Sequence, residues 1–386
     1  FDAETDNTAA EDARLRAAAR AARALASETF RPHPMFRGGH AQTLAAFAWP
    51  RRRTHLRAHA SDEARVFEVH EDARLLGHCR WQRERESRPT LVLVHGLEGS
   101  STSVYMMSTA RLAYEAGFNV VRLNQRNCGA TEHLTPTLYH SGLSGDFQQV
   151  VRELTERDRL SRVFLAGFSM GGNLVMKAAG EWGADAPRGF AGVAAVSPSL
   201  NLSACARTFE SRANRVYHEN FMRHLRARVR RKQRLFPALY DTRDLRAVRT
   251  VRQFDERYTA PAGGFADAED YYARASALPL VPQIRVPTLV VHALDDPLVP
   301  LDPEGERALR SNPYVVPVHT PRGGHVAFLT AEPRARFWAE HMLVEFCRAV
   351  AREDCRGGRA TLRRARVRVR FGRCPDPSTR RLAGLA

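Results

Sequence analysis

The sequence predicts an α/β protein: a mostly parallel central sheet with helices on both faces and a helical cap insertion. Three observations lead there. Continuous apolar runs bounded by turns recur between residues 90 and 198, as in strands buried on both faces. Segments of helical periodicity alternate with those runs. The alternation stops over 199–285, which lacks strand runs and is rich in Arg, Tyr and Phe, and resumes at 287.

The elements follow in order. Residues 1–34 form an N-terminal arm, whose first 30 residues read as a solvated, Ala-rich helix. "ARVFEVH" (64–70) and "ARLLGHCRW" (73–81) are β-like, and "TLVLVHG" (90–96) is a buried strand with its turn. "YMMSTARLAYEAG" (105–117) is a helix ending on Gly117, and "FNVVRLN" (118–124) the next strand. Asp146 is placed to cap a helix over 147–158. "RVFLAGF" (162–168), "NLVMKAAGEW" (173–182) and "FAGVAAVS" (190–197) read as strand, helix, strand. After the cap come strands at 287–293 and 314–320, with a helix near 303–310 between them and a final helix over 333–351. The domain boundaries are a first core part at 35–198, a helical cap at 199–285, a second core part at 286–352 and a basic tail at 353–386. Within that tail "RARVRVRF" alternates like a strand but with arginine at every other position.

Composition narrows the function class. The chain has 386 residues and 44% hydrophobic content, enough for a large core. No apolar run reaches the roughly 18–20 residues that span a bilayer. The N-terminal stretch has no apolar segment of the kind a secretory signal needs. Cys79, Cys128, Cys205, Cys347, Cys355 and Cys374 are scattered, with no C-x-x-C pair, so reduced thiols and a cytoplasmic location are expected. No metal site is expected, since no H-E-x-x-H or cysteine ligand pattern occurs. The net charge of +17 invites a nucleic-acid reading, but its distribution argues against one: ten arginines and one acid lie from Arg356 onward.

The chemistry concentrates on "LAGFSMGGN" (165–173). Gly167-Phe168-Ser169-Met170-Gly171 is a G-x-S-x-G at the end of a buried strand and the start of a helix, the context of a nucleophile elbow. A Cβ at either glycine would collide with the neighbouring strand or helix, while the sharp turn exposes the Ser169 hydroxyl. A serine needs a base, and the base needs an orienting acid. His325, in "PRGGHVAFL" after the last strand, is the expected general base. Asp295 and Asp296 compete for the acid. The spacing D-x-apolar-apolar-P selects Asp296, four before Pro300, and leaves Asp295 as a turn or capping residue. The oxyanion donors expected are the backbone N–H groups of Met170 and of Leu97, the latter in "HGLEGSS" (95–101), where His95-Gly96 shapes the turn.

With elbow, acid, histidine and H-G loop in place, the chain resembles the α/β-hydrolase superfamily, and in particular its YheT-like branch. That branch includes eukaryotic abhydrolase-domain phospholipases and yeast medium-chain ethanol acyltransferases. The stretches that carry the resemblance are "GGHAQTL" (38–44), "HGLEGSS", "NQRNCGATEHLTPTLYHSG" (124–142), "GFSMGGN", "RKQRLFP", "DDPLVP" and "GGHVAF". One departure is the asparagine of "RNCG", where many relatives have glycine; it is expected to affect a loop rather than catalysis. Arg126, Asn127, His140 and Asp146 are expected to hold the loop that borders the pocket.

The resemblance implies acyl-ester chemistry without a metal or organic cofactor, on a small-molecule acyl ester or lipid. The expected activity is cleavage of carboxylic esters of short- to medium-chain acyl groups. An alcohol O-acyltransferase would use the same acyl-enzyme. A non-catalytic basic binding protein would be favoured by a missing triad member, and all three members are present. The arginines of the insertion are either a site for anionic head groups at a membrane surface or a solvated helix face, the second being preferred.

Overall fold

Residues 12–13, 15–20, 22–23, 29–49 and 62–364 are described by the computed structural model of the chain, with side chains throughout except at 334 and 354–364. Eight strands form one sheet: β1 Glu63–His70, β2 Ala73–Arg80, β3 Thr90–Val94, β4 Asn119–Leu123, β5 Val163–Phe168, β6 Phe190–Val196, β7 Thr288–Ala293 and β8 Val315–Thr320. Their order is β1-β2-β4-β3-β5-β6-β7-β8. The first two pairings, β1 with β2 and β2 with β4, are antiparallel, and every pair from β4 to β8 is parallel. The mostly parallel sheet expected from the apolar runs is therefore what the chain forms.

The runs are continuous because both faces are covered. Alternate residues of one strand enter different cores, as the two-residue period of a strand requires. Val92, Val94, Leu165 and Val193 face one layer, with Phe147, Val150, Leu174 and Trp182. Leu91, Leu93, Phe164 and Ala194 face the other, with Met106, Ala110, Leu343 and Phe346. The helices that supply these layers are α2 Val104–Glu115, α3 Ser144–Arg152, α4 Met170–Trp182 and α11 Trp338–Arg364; a short helix α1, Gly39–Ala48, precedes the sheet.

Between β6 and β7 the chain leaves the sheet for five helices, α5 Leu202–Phe209, α6 Arg215–Leu235, α7 Val251–Phe254, α8 Ala260–Gly263 and α9 Ala268–Ala275. Helix α10, Pro303–Ser311, lies between β7 and β8. The inserted helices build a core of their own. Met222, Leu225 and Val229 of α6 pack with Tyr240, Leu245, Phe254 and Tyr258 and reach Leu138 of the body. Asn201 caps α5 through Ala204 N–H at 3.1 Å, and Thr250 with Gln253 forms a capping box on α7.

Three local expectations need correcting. Asp146 does not cap its helix: it lies inside the first turn of α3, where its carboxylate is held by the Arg126 guanidinium at 2.7 and 2.6 Å, a stronger partner than a backbone amide. The N-terminal arm is not simply solvated. Ala18, Ala19 and Ala22 are buried in the layer that holds α11, and Arg23 donates to Pro313 O at 3.0 Å. The final helix spans Trp338–Arg364, past the expected end at 351, and its residues up to Ala351, among them Phe346, Cys347 and Val350, keep one apolar side on the sheet. The alternating "RARVRVRF" segment lies, from residue 365, outside the described residues.

No helix among the described residues is long and apolar enough to cross a membrane.

Candidate active site

The sheet fixes where chemistry can occur. From β3 the chain goes to β4 on one side, and β5 then takes the other side of β3. The carboxyl ends of β3 and β5 thus flank a topological switch point, the place where open α/β sheets bind ligands. The loop after β3 begins at His95, and Ser169 follows β5 directly.

Ser169 has φ 55° and ψ −120°, a left-handed conformation that a non-glycine residue adopts only under constraint. The constraint is close packing. A Cβ on Gly171 would lie 2.5 Å from His95 O, and one on Gly167 would strike the Gly171 carbonyl group and lie 2.6 Å from Gly172 N. Gly96 is close to the serine as well: its Cβ would lie 3.1 Å from Ser169 Cβ. The turn therefore lets α4 start at Met170 directly against the end of β3, with the Ser169 hydroxyl outside both.

His325 lies 156 residues later in sequence, with Nε2 3.0 Å from Ser169 Oγ. Its Nδ1 is 2.9 Å from Asp296 Oδ2 and 3.2 Å from Oδ1. The proton positions follow from the carboxylate: Nδ1 carries hydrogen toward Asp296, leaving the Nε2 lone pair for the serine O–H. Asp296 is buried. Burial pushes its carboxyl up, but His325 beside it and the donors around it more than offset this and hold it below the usual range. Those donors are Leu298 N–H at 2.9 Å and Val299 N–H at 3.0 Å, both to Oδ1.

Asp295 takes a different place. Its Oδ1 accepts from Gly324 N–H at 2.9 Å, so it fixes the backbone beside His325 and does not touch the imidazole ring. Both competing aspartates thus serve the same histidine, one through the ring and one through the loop.

The H-G loop is similarly tied. Gly96 O accepts from His95 Nδ1 at 2.8 Å and from Gly99 N–H at 3.0 Å. Burial holds the His95 imidazole down at a pKa of about 4, so it is neutral, and Nε2 accepts from Gln125 N–H at 3.2 Å. Tyr105 Oη accepts from Gly96 N–H at 3.0 Å, and Tyr139 Oη from Glu98 N–H at 2.8 Å. Between them Leu97 N–H has no protein acceptor among the described residues. Met170 N–H is the first amide of α4 and has no acceptor within the helix.

Several residues that the sequence reading did not assign hold this arrangement. Thr43 Oγ1 accepts from His325 N–H at 2.9 Å, and Ser197 Oγ from Val326 N–H at 3.2 Å. Asn173 Nδ2 donates to Ser141 O and Ala275 O at 3.1 and 2.8 Å, joining the elbow helix to the end of the insertion. The signal for Thr43 and Asn173 was present in the runs "GGHAQTL" and "GFSMGGN", whose outer letters the serine chemistry leaves unexplained. Asn127 takes φ 63°, a backbone position that favours glycine and tolerates asparagine, which accounts for "RNCG" as a loop variant. Its side chain adds a bond to Thr135 O at 3.1 Å.

The cavity above Ser169 and His325 is lined mostly by apolar side chains, among them Leu138, Leu202, Phe209, Phe221, Leu225 and Phe254. It also holds polar groups. His140 is kept neutral, its pKa lowered to about 3 by burial and by Arg126 nearby. Asp255 is buried in the insertion, where burial pushes its carboxyl up to about 7 despite bonds from Thr259 Oγ1 at 2.7 Å and Tyr272 Oη at 2.8 Å. No group of three or more His, Cys, Asp or Glu suited to a metal ion occurs among the described residues.

Comparison with known proteins agrees with the fold. Residues 89–332 match the family model of the alpha/beta hydrolase fold. The chain is 33% identical over 250 residues to YheT of Escherichia coli, covering 64% of this chain and 72% of that protein. It is 30% identical over 266 residues to the monoacylglycerol lipase of Saccharomyces cerevisiae, covering 66% of this chain and 58% of the yeast protein. With human phospholipase ABHD3 the identity is 27%, over 69% of this chain and 65% of the human one. Among solved structures, the acylaminoacyl peptidase of Pyrococcus horikoshii superposes with a TM-score of 0.51 at 17% identity, over 74% of this chain and 41% of that one, a likeness of fold alone. The chain belongs to the alpha/beta hydrolase fold family, on the branch where the named relatives include YheT, esterases and lipases.

Proposed function

We propose that the protein is a serine hydrolase that cleaves carboxylic esters of short- to medium-chain acyl groups, lipid esters included. The observation that carries this reading is the continuous contact Ser169 Oγ–His325 Nε2–Asp296 at 3.0 and 2.9 Å, at the floor of an apolar cavity. His325 Nε2 takes the proton as Ser169 Oγ bonds to the ester carbonyl carbon, and Asp296 stabilises the imidazolium that forms. The Leu97 and Met170 amides receive the oxyanion. Collapse expels the alcohol, which leaves with the proton from His325, and the acyl group remains on Ser169. Water then repeats the sequence and releases the acid.

The orientation of the Leu97 amide has a physical support. Gly96 C=O is held by two donors, and across a trans peptide the N–H points opposite to the C=O. Leu97 N–H is thus turned away from those donors. The substrate class rests on the cavity lining, which offers many apolar contacts to an acyl chain and few polar ones. The monoacylglycerol lipase and phospholipase names among the relatives point to the same class. The cytoplasm is the location we propose, since Cys79, Cys128, Cys205 and Cys347 are free thiols.

A panel of p-nitrophenyl esters with graded acyl length tests this. Saturable hydrolysis with a maximum at short to medium chains, abolished by Ser169→Ala, is the expected result. Absence of hydrolysis by the folded wild type across the panel contradicts it. A second reading, transfer of the acyl group to an alcohol, is favoured by one relative, the medium-chain fatty acid ethyl ester synthase/esterase 2 of Saccharomyces cerevisiae, 28% identical over 280 residues. Ethyl ester formation in the presence of ethanol, measured beside acid release, separates the two.

A further inference from the structure

The arginines of the insertion read, in the sequence, as a solvated face or as a site for anionic head groups. Helix α6 does expose Arg215, Arg223, Arg230 and Arg234. Arg228, Arg231 and Lys232 turn the other way, at the i, i+3, i+4 spacing that places side chains on one helix face. All three grip the body of the protein. Lys232 Nζ donates to Glu132 O at 3.0 Å and to Thr135 O, and Arg231 Nε lies 2.6 Å from Glu132 Oε1. Arg228 reaches furthest, into the H-G loop. Its Nε and Nη2 meet the Glu98 carboxylate at 2.9 and 3.1 Å, and its Nη1 donates to Asn127 O. The pair is almost fully buried, with side-chain exposures of 5% for Arg228 and 7% for Glu98.

Glu98 is the residue after Leu97, and it is held in a costly conformation, φ 56°. Three contacts keep it there. Tyr139 Oη accepts from Glu98 N–H at 2.8 Å and donates to Glu98 Oε1 at 2.8 Å, and the Arg228 guanidinium sits 4.7 Å from the centre of the same tyrosine ring. On the other side of Leu97, Gly96 is locked by His95, Gly99 and Tyr105. Leu97 N–H is therefore a backbone group clamped from both sides, and one half of the clamp comes from the insertion, 130 residues away.

We infer that Arg228 and Glu98 are positioning residues for the oxyanion donor at Leu97, so that the insertion completes the oxyanion site as well as covering the pocket. The inference rests on the serine-hydrolase reading above. It assigns to the buried pair a role in the transition state; Arg228 also lines the cavity, so KM is the readout that separates positioning from substrate contact. An ion pair this buried is weak evidence of stability by itself, since desolvation offsets much of its attraction. A fixed loop geometry beside the nucleophile gives it a use.

The test compares Arg228→Met, Arg228→Lys and Glu98→Gln with the wild type on p-nitrophenyl butyrate. Alongside it runs inhibition by an alkyl trifluoromethyl ketone, which forms a tetrahedral adduct with an oxyanion. Loss of one oxyanion donor lowers kcat by about 100- to 1,000-fold in well-studied hydrolases. Arg228→Met is expected to lower kcat by about 100-fold with KM within about threefold, and to weaken the ketone by the same factor as kcat/KM. Arg228→Lys, which keeps the charge, is expected to recover part of the loss. Arg228→Met leaves a buried carboxylate unpaired, so where it does not fold, Glu98→Gln supplies the same readout with nearly unchanged volume. A folded variant with kcat unchanged overturns the inference. So does a rise in KM at constant kcat, which would make Arg228 a substrate contact. An inactive wild type instead removes the hydrolase reading itself, and the two failures are thereby distinct.

Discussion

Gln42 and Leu329 are 287 residues apart, and the side-chain amide of one satisfies both backbone groups of the other. Leu329 N–H donates to Gln42 Oε1 at 2.7 Å, and Gln42 Nε2 donates to Leu329 O at 3.1 Å and to Phe36 O at 2.5 Å. One residue on, Thr43 accepts from His325 N–H. The "GGHAQTL" segment is therefore the outer wall of the histidine loop, and a Cβ on Gly324 would meet Thr43 Oγ1 at 2.7 Å and Gln42 Cβ at 3.0 Å.

Gln42→Ala leaves the Leu329 N–H buried without its acceptor, while Leu329 O keeps the His33 N–H at 2.8 Å. A buried unsatisfied group costs about 1–3 kcal/mol. The variant is expected to lose about 2 kcal/mol in urea unfolding and about tenfold in kcat as His325 loses its fixed position. An unchanged kcat in a destabilised variant would limit Gln42 to stability.

The two aspartates are expected to separate cleanly. Asp296→Asn removes the charge that orients and stabilises the imidazole, and kcat is expected to fall by roughly 1,000- to 10,000-fold. Asp295→Asn keeps an acceptor for Gly324 N–H, and a loss below about tenfold is expected. Steady-state kinetics of both variants decide it; a larger loss at Asp295 would reverse the assignment.

Asp255 makes stability depend on pH. Burial raises its folded pKa to about 7 from the unfolded carboxylate range, so the folded state holds the proton more tightly than the unfolded state. The associated stability is present in full below the unfolded pKa and is lost as pH rises through about 7. Asp255→Asn removes that loss. The Tm of the variant relative to wild type is expected to climb from pH 5 to pH 8, by an amount on the order of a few kcal/mol in stability. A pH-independent difference would mean that Asp255 stays ionised in the folded protein.

Much of the core was legible because its signals are local. "TLVLVHG", "RVFLAGF" and "PTLVVHA" are continuous apolar runs, and each is a strand of the sheet within one or two residues. The G-x-S-x-G motif also reports a local fact, the close passage of Gly171 by the end of β3. What stayed hidden depends on partners far away in sequence. Both faces of α6 carry arginines, and although Met222, Leu225 and Val229 mark the inward side, only packing against Glu98, Glu132 and Thr135 shows what Arg228, Arg231 and Lys232 do there. The same holds for Asp146, which has the sequence position of a helix cap until Arg126 claims it. The alanines of the N-terminal arm look solvated because nothing in their own sequence reveals α11 beside them.

The most direct measurement is labelling with a fluorophosphonate probe, wild type against Ser169→Ala, followed by peptide mapping of the modified residue. The expected result is stoichiometric labelling of the wild type at Ser169 and none in the variant, because the hydroxyl 3.0 Å from His325 Nε2 is the nucleophile we propose. A folded wild type that resists the probe, or one labelled at another residue, would contradict the account.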